Sequence, residues 1–94
     1  MAGDKNRYVQ IIEQIFLKRY RKGASEVPFA RTDIIETASA LGIPLPKNLG
    51  DIIYSFRYRA ALPSAITQKA KKGYAWIIRP SGRGRYTLFD TTAS

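Results

Sequence analysis

Five residues near the middle of the chain, Gly42-Ile43-Pro44-Leu45-Pro46, constrain the fold more than any other stretch. Neither proline has an amide hydrogen to donate, and each disfavours helical geometry in the residue before it. No helix can run through them. On the N-terminal side, Ile34, Ile35, Ala38 and Leu41 form an apolar stripe that ends at Gly42. Thr32 is placed to cap that helix, and Asp33 and Glu36 suit its positive end. On the C-terminal side, Asn48 can cap a helix running to Leu62, with Asp51 three residues on as a capping partner. That helix has two faces. At about 100° per residue, Leu49, Ile52, Ile53, Phe56 and Ala60 share one arc, whereas Lys47, Asp51, Tyr54, Ser55 and Tyr58 lie opposite. Arg57 and Arg59 fall at the margins between them. The centre of the molecule is therefore helix, tight apolar turn, helix.

The flanks are equally patterned. From about Asp4, a cap candidate, to Arg21, the residues Tyr8, Ile11, Ile12, Ile15, Phe16 and Tyr20 recur at helical spacing, and Lys22-Gly23 supplies the stop. Val27-Pro28-Phe29-Ala30 is too short for a helix and reads as an extended edge strand or connector. Pro63 stops the third helix, and Ala65 to Gly73 reads as a basic connector with a short strand at Ala65-Ile66-Thr67. Tyr74 to Arg79 and Tyr86 to Phe89, rich in aromatic and branched residues, flank Pro80-Ser81-Gly82-Arg83-Gly84 as a hairpin. Alternation places Trp76 and Ile78 on one side and Ala75, Ile77 and Arg79 on the other, with Leu88 or Phe89 completing the buried layer. Asp90 to Ser94 reads as a frayed tail, so residues 1–90 are expected to form a single α+β domain and 91–94 a tail or linker.

Charge narrows the function classes. Sixteen Lys and Arg against seven Asp and Glu give +9, a balance suited to a polyanionic partner. The excess is segregated. Residues 1–51 hold eight basic and six acidic side chains, whereas residues 52–89 hold Arg57, Arg59, Lys69, Lys71, Lys72, Arg79, Arg83 and Arg85 and no acid. The absence of Cys and His removes disulfides, the usual transition-metal ligands and the commonest general base. The carboxylates Asp4, Glu13, Glu26, Asp33, Glu36, Asp51 and Asp90 are too scattered for a two-metal site. The glycines around Arg83 lack the lysine and hydroxyl residue of a phosphate loop. A binding module without cofactor, metal or catalytic residues is expected. No apolar run approaches the roughly 20 residues of a membrane span, so a cytoplasmic, nucleoid-associated location is expected and a membrane partner is not.

Three helices, a short strand between the first two, and a C-terminal hairpin make the chain resemble a winged helix-turn-helix domain over nearly its whole length. Thr32 to Leu41, the Gly42–Pro46 turn and Asn48 to Leu62 match the helix-turn-helix, and Arg79 to Arg85 match the wing tip. Trp76 to Tyr86 also looks like a stretch of bacterial restriction-endonuclease-like proteins in which a winged helix precedes a nuclease domain. Nuclease residues are absent from this sequence, so that likeness implies either an isolated recognition module or part of a longer nuclease chain.

The resemblance implies that the second helix of the pair enters the major groove of double-stranded DNA while the wing touches backbone or minor groove. By position, Lys47, Asn48, Asp51, Tyr54, Ser55 and Tyr58 would face the groove floor, with Arg57 and Arg59 reaching phosphates at its sides. Asp51 either accepts from a cytosine amino group or only caps its own helix. Arg83 and Arg85 would sit on a glycine-flanked, flexible tip with Arg79 at its base, and Lys69, Lys71 and Lys72 would add phosphate contacts or serve only solubility. Tyr54 and Tyr58 offer aromatic surface for sensing a modified base. The alternative is a winged helix used for protein contact or dimerisation.

Overall fold

The structure, a computed structural model, describes residues 4–58 and 62–92, with side chains from residue 7 to 56 and from 62 to 92. Among them the chain forms an α+β fold of four helices and one three-stranded antiparallel sheet. Helix α1 (Asp4–Arg19) buries Ile11, Ile12, Ile15 and Phe16, the arc its periodicity marks. It ends two residues before Arg21. The Tyr20 amide still donates to the Phe16 carbonyl at 2.7 Å, and Gly23, at φ 87°, takes the left-handed turn that a side chain would resist. The side chain of Asp4, nominated as a cap, lies outside the described residues.

Strand β1 (Glu26–Ala30) is an edge strand, where Pro28 costs no internal ladder bond. It runs directly into helix α2 (Arg31–Leu41), and this junction changes the expected cap. The chain bends at Ala30 (φ −117°, ψ 168°), so Ala30 is the cap residue and Thr32 is already inside the first turn. Alanine has no oxygen to offer. Instead Asp33 Oδ2 accepts from the Ala30 amide at 2.8 Å, and Asp33 Oδ1 accepts from Arg19 Nη2 at 2.6 Å, tying α2 to the end of α1. Burial pushes the Asp33 carboxyl pKa up, but the Ala30 amide and then the Arg19 guanidinium, with Lys18 adding its field, hold it below the usual 3.8.

At the other end, Gly42 (φ 70°) donates to Ser39 and Ile43 to Ala38, a paired glycine cap that closes the helix before the prolines. Of the expected stripe on α2, only Ile34 and Ala38 are buried. Ile35 and Leu41 are 43% and 38% exposed. Ile35 falls on the margin of the arc centred on Ile34 and Ala38, whereas Leu41 lies within that arc but is the last residue of the helix.

Helix α3 (Gly50–Tyr58) starts just after Asn48, whose Oδ1 accepts from the Gly50 amide at 3.0 Å, and buries Ile52, Ile53 and Phe56, with Leu49 buried in the turn before it. Its expected continuation through Arg59, Ala60 and Ala61 lies outside the described residues. The connector then departs from expectation. Ser64–Thr67 is a turn of helix, α4, not a strand. Pro63 stands at its start, its carbonyl accepting from Ile66 and Thr67, and Ile66 is fully buried. One turn is too short to show a period, so burial of a single isoleucine decides its conformation.

Strands β2 (Tyr74–Gly82) and β3 (Arg85–Thr92) form a longer hairpin than the hydrophobic runs suggest. Pro80 pairs with Tyr86 and Gly82 with Arg85, a bulge at Ser81 absorbing the extra residue, so the turn itself is only Arg83-Gly84. At the other end Asp90, Thr91 and Thr92 pair with Trp76, Ala75 and Tyr74, so the expected tail is strand as far as Thr92. The sheet order is β1-β3-β2. Trp76, Ile78 and Leu88 are buried in the core with Val27 and Phe29. Near the start of β2, Trp76 meets Phe16 edge-on at 5.3 Å and Tyr20 at 6.1 Å, while Phe16 and Tyr20 stack at 4.8 Å. Each such core side chain contributes about 1.5–3 kcal/mol of transfer free energy, which orders the short elements around it.

Candidate nucleic-acid interface

The turn of the hairpin is where three separate elements converge. β1 pairs with β3 up to its last residue, Ala30 opposite Arg85, so the hairpin tip lies beside the first residue of α2. The Arg31 amide donates to the Gly84 carbonyl at 2.8 Å. Gly84 is in the left-handed region at φ 65°, and a Cβ there would stand 3.9 Å from the Arg31 Cβ. There is room for a side chain, so it is the left-handed backbone of the turn that favours glycine here. The expected flexible tip is therefore latched.

Beside this latch lies a shallow cleft lined by Arg31, Lys47, Asn48, Leu49, Gly50, Gly84 and Tyr86. It brings the N-terminal end of α3 to the tip of the hairpin. Lys47 and Asn48 are exposed, although the Asn48 side-chain oxygen is engaged in capping and only its NH2 group remains to donate outward. Arg83 and Arg85 are exposed on the tip itself. Arg31 is a cation that the sequence reading missed. It occupies the first position of a helix, where the dipole disfavours positive charge, and that misplacement is the local signal that its side chain serves something other than its own helix.

The remaining candidates scatter around this centre. On α3, Asp51 and Tyr54 are exposed and Ser55 is half-buried, so the face opposite the apolar arc is open as expected. The side chains of Arg57 and Tyr58, and all of Arg59, lie outside the described residues. Arg79 lies away from the cleft, with its Cζ 4.9 Å from the ring centre of Phe89. Lys69, Lys71 and Lys72 lie between α4 and the start of β2, a full strand from the tip, roughly 25 Å along the hairpin. Lys69 Nζ stands 5.7 Å from the Tyr20 ring centre, against the aromatic cluster.

The cleft offers cations from a lining free of carboxylates, with Asp51 on the adjoining turn of α3. Asp33, the acid closest in sequence to Arg31, is engaged by Arg19 and the Ala30 amide. Such an arrangement favours polyanions. Among the described residues no group of His, Cys, Asp or Glu could hold a metal ion, and no helix is long and apolar enough to cross a membrane. No family model, curated protein or solved structure matches the chain.

Proposed function

We propose that this chain is a double-stranded DNA-binding module of the winged helix-turn-helix kind. The order helix, strand, helix, helix, hairpin and the β1-β3-β2 sheet support that reading, with α4 as a short insertion before the wing. In it, the open face of α3 enters the major groove, where Tyr54, Ser55 and Asp51 meet base edges. The observation that carries the proposal is the cleft itself. Lys47, just before the start of α3, and Arg31, the first residue of α2, line one cleft without a carboxylate in its lining, and the exposed Arg83 flanks the Gly84 that closes it, while Arg85 lies on the other side against the Asp33 pocket.

The latch bears on how the wing acts. A tip that ends level with β1 and is tied to α2 suits a contact with phosphates more than a reach into the minor groove. The module works by binding and performs no catalysis, and its likeness over Trp76 to Tyr86 to restriction-endonuclease-like proteins makes target recognition for a nuclease its natural role. Titration of the chain against a randomised duplex pool at two salt concentrations, with sequencing of the bound fraction, tests this. If about six cations neutralise phosphates, affinity should fall roughly a thousandfold over a fourfold rise in salt, and an enriched motif should survive. A flat salt response overturns the proposal. The second reading, a winged helix used for protein contact, rests on different residues, the exposed Leu17 and Leu41.

A further inference from the structure

Helices α1 and α2 leave a groove between them whose composition is unlike the rest of the surface. Gln14, Leu17 and Lys18 form one wall, and Glu36, Ala40 and Leu41 line the other. Leu17 is 51% exposed and Leu41 38%, large aliphatic side chains that the core does not use. Lys18 and Glu36 face the same groove from opposite walls, and among the described residues neither side chain makes an ion pair or hydrogen bond. An unpaired cation and an unpaired anion flanking two leucines form a self-complementary pattern.

We infer that this groove is the contact surface for a second copy of the chain. A two-fold axis running along the groove sets each wall against the opposite wall of the partner copy. Lys18 then meets the partner copy's Glu36 twice over, and each leucine wall covers the other. A second copy is favoured by charge. The chain carries +9, so two copies repel wherever cations prevail, and this groove, with opposite charges on its walls, is where they can approach. An acidic partner would instead be drawn to the cationic tip. This inference does not rest on the DNA reading, because none of these residues lines the cleft at the hairpin tip.

Sedimentation equilibrium of the full chain across the micromolar range, without DNA, tests it. The expected result is a reversible dimer that Leu17→Arg and Leu41→Arg each convert to monomer, with unchanged circular dichroism because both side chains are on the surface. Lys18→Glu and Glu36→Lys should each weaken association about tenfold, and the double variant K18E/E36K should restore it, since reversal of both charges recreates the cross-pairs. A chain that stays monomeric at high micromolar concentration overturns the inference. So does a dimer indifferent to the leucine substitutions, or single reversals that the double variant fails to rescue. Capture of an unrelated protein by a monomeric chain would likewise overturn it.

Discussion

The two ends of the hairpin carry similar numbers of cations and use them differently. At the tip, the exposed Arg83 and Arg85 flank Gly84, which together with Arg31 and Lys47 from other parts of the chain lines an open cleft. At the base, Lys69, Lys71 and Lys72 lie between α4 and β2, and Lys69 stands against Tyr20 of the aromatic cluster. Local charge density is the same to the eye of a sequence reader. What separates the ends is tertiary placement: the tip gathers charge from three elements beside an exposed helix start, whereas the base spends its apolar residues on anchoring α4 and β2 to α1. A site is made by convergence, and an anchor by burial.

The strongest way to sharpen this contrast is to cut the anchor. Ile66→Ala at the base should destabilise the fold by about 2–5 kcal/mol, read as a lowered midpoint in urea unfolding. Under conditions where the variant is still folded, its DNA affinity should equal that of the parent. A large loss of affinity in the folded variant would show that the base belongs to the interface.

Removing charge should have the opposite profile. The double variant R31A/R83A should lower duplex affinity by about a hundredfold at near-physiological salt and reduce the salt slope by about 2, with little change in stability. The matched double variant K71A/K72A should cost less than about threefold. Equal losses from the two pairs would erase the distinction between tip and base.

A smaller effect probes the junction that positions Arg31. The Asp33 carboxyl has a folded pKa below its unfolded value, so its contribution is fully present above the unfolded pKa and is lost as pH falls through the folded one. Asp33→Asn should therefore be less stable than the parent near neutrality by about 1 kcal/mol, and the two should converge in acid below about pH 4. Denaturant midpoints across that range check the sign. Least of all, Gly84→Ala should cost about 1 kcal/mol, because a side chain at φ 65° is strained even though nothing there blocks it, and it should loosen the tip more than the base in hydrogen exchange.

Much of the fold is legible from local signals. Periodicity locates α1, α2 and α3, the prolines and Gly42 set the turn between them, and alternation assigns Trp76 and Ile78 to the core, where the structure adds Leu88 in preference to Phe89. The failures share a cause, since each depends on what a residue meets elsewhere. Thr32 looked like a cap by its side chain, yet β1 runs straight into α2, so the bend falls at Ala30 and the helix starts one residue before Thr32. Leu41 looked like core, but it lines the open groove between α1 and α2 and stays 38% exposed. Asp90 to Thr92 looked like a tail because only pairing with β2 makes them strand. Arg31 is the clearest case: nothing near it in sequence announces that Gly84 will stand beside it.

The bond between the Arg31 amide and the Gly84 carbonyl has a consequence for measurement. One proton is shared by the first turn of α2 and the turn of the hairpin, two parts distant in sequence. Its resonance is a built-in strain gauge. A ligand that pulls on the hairpin tip must lengthen or shorten this one bond, so a shift of the Arg31 amide signal, with its neighbours in α2 unmoved, would report engagement of the tip before any change in the rest of the molecule.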